Sequence, residues 1–409
     1  MTLELRVLDP TVWDDWYGKL QLAFGGVPEA PEETALWREL TECERSIGAW
    51  DGEDIVGTAS LNSFRLSVPG GALVPAAGLT MVSVQATHRR RGVLRAMMRH
   101  QLDDIRATGE PLAILTASEP DIYGRFGYGV AAQSAYAEID TARVRLAVPE
   151  GTDGVRLRAV PPDTAVEACE AVYARLLATR PGRLERRPGW ERLPLLDPPG
   201  DREGASPLRC VLAESGGEVS GYARFAVKPD WDLAGPKGVV VLRDLEALDP
   251  ASGAALWRFL FDLDLTSVIR TGTRPVDDPW TQLVSDIRRC GVRLRDALHL
   301  RPVDVGAALA ARAYATPVDV VFEVADPFCP WNEGRWRLSG DTKGASCERT
   351  ADPADLRLGV RELGAAYLGG VSLSALAGAG RVQEVRQGAL AEAATAFLSP
   401  VAPWLPLHF

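Results

Sequence analysis

Three consecutive arginines, Arg89, Arg90 and Arg91, followed at once by Gly92, stand between a β-rich run and a helical one. Guanidinium groups give charge-assisted hydrogen bonds to anions. A helix N-terminus adds free backbone N–H groups and the positive end of the macrodipole. The combination suits a diphosphate-bearing cofactor. Arg-x-x-Gly-x-Leu is a weak motif by itself, and a basic, solvated helix start has the same spacing. At the far end, Ser399-Pro-Val-Ala-Pro-Trp-Leu-Pro-Leu-His-Phe409 holds three prolines among apolar residues, so it should be extended, stiff and docked. Docking would carry the Phe409 carboxylate into a protein environment.

The elements around the arginines are readable. Met81, Val82 and Val84 form a short strand, Gln85 to His88 a polar loop, and Val93, Leu94, Met97, Met98 and Leu102 fall at helical spacing, with Thr87 as the expected N-cap. Upstream, a strand at 3–8 precedes helices near 11–22 and 31–40, and Asp51-Gly52 marks a hairpin between strands 46–50 and 55–61. Downstream come a strand at 112–117, a short helix or turn at 121–127 and a closing strand at 136–139. After a Pro/Gly break near 148–154 the pattern recurs: a hairpin around Gly216-Gly217, strands to 247, a helix at 254–263 and a strand at 265–270. Laid over residues 84–118 it is the same strand–turn–helix–strand unit, but Asp249-Pro-Ala-Ser replaces Arg89–Gly92. This reads as a duplicate that has lost its phosphate site. Beyond about 296 the character changes again, with a helix expected at 303–313, strands near 318–324, 335–339 and 345–349, and helical spacing over 382–397.

Composition narrows the class. The chain has 409 residues, 46% hydrophobic, enough for two or three cores at roughly 100–200 residues each. Its 45 basic and 55 acidic residues give a net charge of −10, against general nucleic-acid binding. Six scattered cysteines form no Cys-x-x-Cys pair and no cluster with histidine, so neither a zinc site nor a disulfide framework is indicated. No signal peptide and no apolar run near the ~20 residues of a membrane span is visible. A soluble, cytoplasmic protein without a metal or a membrane partner is expected.

Val82-Ser-Val84, Thr87-His-Arg-Arg-Arg-Gly-Val-Leu-Arg-Ala96 and above all Ala117-Ser-Glu-Pro-Asp-Ile-Tyr-Gly-Arg-Phe-Gly-Tyr-Gly129 resemble the enhanced intracellular survival family of GNAT N-acetyltransferases. The second block is the specific one, and the likeness extends over the whole chain. It implies a mixed α/β and α+β fold of tandem GNAT domains followed by a sterol-carrier-like domain. The expected boundaries are a catalytic domain at 1–148, a degenerate one at 149–296 and the carrier-like domain at 297–409, in a hexamer. It also implies acetyl-CoA as co-substrate. Backbone of Val82, Ser83 and Val84 would hold the pantetheine arm as an added strand. Arg89, Arg90, Arg91, Gly92, Val93 and Leu94 would hold the pyrophosphate, with Ser118 near the far strand.

The resemblance makes Tyr123 the general acid, a phenol protonated at neutral pH. The Phe409 carboxylate becomes the base or the anchor for the cation, with His408 as rival. A carboxyl group near pKa ~3.5 is a poor match for an ammonium near ~10 unless burial raises it. Phe24, Trp37, Met81 and Ser83 match the amine pocket, with His408 beside it. Other members carry an acid just after the phenylalanine where this chain has Gly25, and glutamate where it has His408, so two carboxylates that would hold a polycation are absent. The expected function is acetyl transfer to a primary amine of a cationic small molecule, aminoglycoside- or polyamine-like. Protein-lysine acetylation and a non-catalytic acyl-CoA or lipid-binding assembly are the alternatives.

Overall fold

A computed structural model describes residues 3–409. Six strands of the first unit, β1 (Leu3–Val7), β2 (Ser46–Asp51), β3 (Asp54–Ser67), β4 (Leu73–Val84), β5 (Leu112–Leu115) and β6 (Gly129–Tyr136), belong to an eight-stranded sheet. Helices α1 (Trp13–Ala23), α2 (Pro31–Leu40) and α3 (Val93–Thr108) pack on it. The β2–β3 hairpin turns at Asp51-Gly52, where Gly52 takes φ +67° as the tight turn requires.

The sheet is not made from one stretch of chain. Its order is β1-β2-β3-β4-β5, then Arg293–Pro302, then β6, then Arg274–Pro275. The strand Arg293–Pro302 runs antiparallel to both neighbours, with Leu300 opposite Ile114 on one side and Gly129 on the other. In exchange, Glu138–Asp140 (β7) joins the second sheet, whose order is β7, Thr266–Thr271, Gly238–Ala247, Glu218–Lys228, Arg209–Ser215, Arg156–Val160. The single closing strand expected at 136–139 is therefore two strands in two sheets. The chain crosses over at Ala137, whose N–H donates to Thr271 Oγ1 at 2.8 Å. A cut at 296/297 passes through the inserted strand.

The last unit has a five-stranded sheet in the order Gly344–Arg349, Gly334–Asp341, Val318–Ala325, Leu356–Gly359, Val382–Glu384. The helical spacing over 382–397 holds only from Ala389, because Val382–Glu384 pairs with Leu356–Leu358 as an edge strand. Here the core is continuous across units: Leu36, Phe64 and Leu112 of the first share one apolar cluster with Phe322, Leu363 and Leu405 of the last.

Arg301, fully buried on the inserted strand, ties these parts together. It donates to Asp326 Oδ2 at 2.5 Å and to the carbonyl of Phe126, while Asp326 also accepts from Asn332 Nδ2 at 2.9 Å and Cys329 N at 3.0 Å. Removing one partner of such a pair strands a charge. Arg301→Met should therefore destabilise the protein by about 3–5 kcal/mol. Chemical denaturation checks this, and the double change Arg301→Met/Asp326→Asn, which removes the stranded charge and keeps an acceptor oxygen, should recover part of the loss; equal midpoints for wild type and single variant would contradict it.

Candidate active site

β4 and β5 lie side by side only from Ala76↔Leu112 to Gly78↔Ile114. Beyond Gly78 they part. A bulge helps to open them: the β3–β4 register shifts between Thr58 and Ser60, and Met81 takes a left-handed φ of +53°. A non-glycine residue there is strained and is held by its neighbours. Thr58 Oγ1 supports it, 2.7 Å from both the Met81 carbonyl and Ser83 Oγ. Ser83 is 5% exposed, with its hydroxyl held by Thr58. The Val82–Val84 backbone lines the open side of a V, the edge an extended chain can pair with.

At the top of the V, α3 starts at Val93 with Gly92 as N-cap, φ +85°, and no side chain capping it. Thr87 does not cap this helix. Ala86–His88 forms a separate 3-10 turn in which Thr87 Oγ1 meets His88 Nδ1 at 2.8 Å, and His88 Nε2 reaches Asp51 Oδ2 at 3.3 Å. Arg89, Arg90 and Arg91 are exposed around the helix start, with Arg90 at φ +63°. Val93 is buried below, and Leu94 packs against the same buried cluster as Val82, Ala117 and Tyr123.

The corresponding place in the second unit is closed. Asp249 caps the helix Pro250–Phe261, its Oδ1 accepting from Ser252 N at 2.9 Å, so a built-in anion occupies that helix start. Where the parallel strands Gly238–Ala247 and Thr266–Thr271 end their pairing, Arg274 fills the gap, donating to the Leu245 carbonyl at 2.7 Å.

Tyr123 lies in the 3-10 segment Pro120–Phe126, edge-on to the buried Tyr128 with centroids 6.1 Å apart. Burial first, and Glu119 second, push its hydroxyl up to about 12. The glycines around it are explained by the last unit. A Cβ on Gly124 would meet the Arg361 guanidinium at 2.8 Å, on Gly127 it would strike Arg301, and on Gly129 it would lie 2.6 Å from Ala365 N. The helix Val360–Ala366 presses directly on this loop, so the Tyr-Gly-Arg-Phe-Gly-Tyr-Gly block is also a docking surface.

The C-terminus sits at the vertex of the V. A carboxylate oxygen of Phe409 accepts from Thr116 Oγ1 at 3.3 Å, just past β5, and its ring lies 2.9 Å from where a Gly78 Cβ would stand. Its ring also meets Phe64 at 4.9 Å, Phe64 meets Trp190 at 4.8 Å, and Trp190 meets Trp37 at 6.3 Å. This aromatic file joins the predicted Trp37 to the predicted Phe409 through Phe64 and Trp190, which no sequence motif marks. Phe64 sits mid-strand and Trp190 in a proline-rich connection, and neither position carries a signal of its own. Met81 packs with the Trp13–Trp16–Tyr17 cluster on α1. Phe24 is not drawn in: it ends α1 and is 61% exposed, before Gly25 and Gly26.

His408 lines a cleft of about 220 Å³ that adjoins the vertex at Thr116 and is bounded also by Ser118, Tyr136, Arg295 and Asp296. It keeps an exposed surface at the mouth, while crowding walls and, secondarily, Arg295 lower its pKa. A larger hollow of about 560 Å³ on the last unit's sheet, around Glu323, Arg335 and Arg357, is remote from the V. Among the described residues no helix is long and apolar enough to cross a membrane, and no group of three or more metal-ligating side chains gathers.

Residues 4–131 and 182–302 each match an acetyltransferase (GNAT) domain family, and residues 305–406 a sterol carrier protein domain. N-acetyltransferase Eis of Mycobacterium tuberculosis is 36% identical over 407 residues, covering 95% of this chain and 96% of that one. The chain belongs to the Eis family of GNAT N-acetyltransferases. An uncharacterized N-acetyltransferase of Streptomyces avermitilis is 66% identical over the full length of both chains. The crystal structure of Eis1 from Mycobacterium abscessus superposes with a TM-score of 0.84 at 34% identity over all of both chains. The protein is thus an acyltransferase of a fold whose acetyltransferases use acetyl-CoA.

His408 gives a pH signature. Its folded pKa lies below the ordinary 6.5, so near pH 6 the folded state binds fewer protons than the unfolded one. Stability from this group is complete above about 6.5 and is lost as pH falls below it. Between about pH 7 and 5.5 the unfolding free energy should fall less steeply in His408→Gln than in wild type; parallel curves would contradict this.

Proposed function

We propose that the protein transfers an acetyl group from acetyl-CoA to a primary amine of a cationic small molecule, aminoglycoside- or polyamine-like. The observation that carries the reading is a V between the parted strands, with the uncapped helix start and its arginines at the top and the terminal carboxylate at the vertex. The V suits an extended pantetheine arm on the Val82–Val84 edge, with pyrophosphate at the Arg89–Leu94 turn. Ser118 lies beyond the end of β5 on the opposite side. Acetyl-CoA, when bound, supplies the acetyl group and the thiol leaving group.

Tyr123 is the proposed acid. At a pKa of about 12 its hydroxyl stays protonated at neutral pH. Full proton transfer to a thiolate of reference pKa ~8.5 is uphill, so Tyr123 helps chiefly by a charge-assisted hydrogen bond to the developing anion. The Phe409 carboxylate is the proposed anchor and proton acceptor for the ammonium, since it lies at the vertex. His408, which lines the adjoining cleft, is the rival candidate, less favoured for its position and not for its basicity.

Cation preference is supported near Trp37. The carboxyl of Glu33 is raised by burial and then by Glu29, with smaller contributions from Asp201 and Glu32, while a hydrogen bond with Trp37 opposes them. Acidic side chains thus lie together beside Trp37, at one end of the aromatic file.

A thiol-release assay over a panel of mono-, di- and polyamines, aminoglycosides and lysine peptides tests the proposal. Turnover greatest with the multivalent small amines is expected; tight CoA binding with no amine turned over would overturn it. Tyr123→Phe should lower kcat by about 10²-fold or more with CoA affinity unchanged, as loss of a hydrogen-bond donor to a developing anion does. Unaltered kcat would remove Tyr123 from the chemistry.

A further inference from the structure

The last eight residues are held mainly by the unit that lacks a cofactor site. Arg180 donates to the Ala402 carbonyl at 2.5 Å and to Asp277 Oδ1 at 2.6 Å, while Asp277 Oδ2 accepts the Ala402 N–H at 2.8 Å. One ion pair therefore grips both polar groups of a single tail residue. Two residues on, the Trp404 N–H donates to the Pro181 carbonyl at 2.9 Å, and its indole Nε1 to Thr273 Oγ1 at 3.1 Å. Its buried ring lies between two guanidinium groups, Arg183 at 5.1 Å and Arg274 at 5.5 Å from the centroid.

Both arginines are buried and fixed in turn. Arg183 is bidentate to Glu246 at 2.9 and 2.8 Å, and Arg274 donates to Asp278 at 2.6 Å. Arg274 is the residue that fills the gap between the second unit's parallel strands. Gly182, at φ +94°, allows the closest approach, because a Cβ there would lie 2.9 Å from the Trp404 carbonyl oxygen. The same stretch is bonded to the first sheet: Gly182 N–H donates to Ser67 O and Ser67 N–H to Arg183 O, each at 2.8 Å. The tail is thus seated on a segment belonging mechanically to the sheet that carries the V. From Trp404 to Phe409 only five residues remain, one of them Pro406, so a shift at the seat reaches the carboxylate.

We infer that the second unit serves as a seat for the C-terminus, with Arg180 and Asp277 as positioning residues that register the Phe409 carboxylate at the vertex through Ala402 and Trp404. This rests on the proposed role of that carboxylate, and the test separates the two.

The variants are full-length Asp277→Ala and Asp277→Asn. The readouts are thiol release with the best amine, the acetyl-CoA KM, and the rate at which carboxypeptidase A frees Phe409, followed by mass spectrometry. Asp277→Ala should free Phe409 faster than wild type and lower kcat/KM for the amine by about 10–100-fold, the scale of an ångström-sized misplacement, with the acetyl-CoA KM unchanged. Asp277→Asn keeps an acceptor for the Ala402 N–H and should lie between. Faster release with unaltered turnover would uphold the seat and remove Phe409 from the chemistry. Unchanged release, whatever the turnover, would overturn the seat. Arg180→Gln carries the same test should Asp277→Ala fail to fold.

Discussion

The strand Arg293–Pro302 lies between β5 and β6, and the geometry of the V depends on its being there. β5 is only four residues long and touches β4 at three positions, so its other edge must be held if its end is to diverge cleanly. The inserted strand supplies that edge from a part of the sequence 180 residues later. It also carries Arg301, whose buried guanidinium joins the Tyr123 loop at Phe126 to Asp326 of the carrier-like unit. One strand thereby fixes three relations: the angle between β4 and β5, the height of the Tyr123 loop, and the docking of the last unit.

The two GNAT units divide the work. Both keep a parallel strand pair followed by a gap, but each gap is used differently. In the first, the helix start is uncapped and surrounded by arginines, which favours an incoming anion. In the second, Asp249 satisfies the helix and Arg274 fills the gap, making a rigid, internally neutralised body. Such a body is suited to holding another segment, and the tail with Trp404 lies against it. The carrier-like unit sends the tail out and presses its helix Val360–Ala366 on the motif loop, so all three units contribute to the surroundings of the V.

Local chemistry was readable and exchange between units was not. The Asp51-Gly52 hairpin, the switch from strand to helix across Arg89–Gly92 and the loss of arginines at Asp249 all follow from neighbouring residues, and all stand in the fold. Thr87 has the residue type of a cap, yet a left-handed Gly92, closer to the helix, takes that place. Residues 136–139 look like one β run, yet the chain leaves one sheet for another at Ala137, and no local propensity records which sheet a strand will join. The strain at Met81 and the Phe64–Trp190 wall arise only from neighbours distant in sequence. The glycines of the Tyr123 block are legible as a specific motif, but their physical cause, contact with Arg301, Arg361 and Ala365, lies more than 170 residues downstream.

The central claim is that the chain's own C-terminal carboxylate takes part in acetyl transfer. The most direct measurement compares the full-length enzyme with the same chain ending in a carboxamide, prepared by intein ligation, which removes one charge and leaves the Phe409 ring, His408 and the tail seat in place. The account predicts a large fall in amine turnover and an altered pH profile with CoA binding retained. Unchanged turnover with an unchanged pH profile would contradict it.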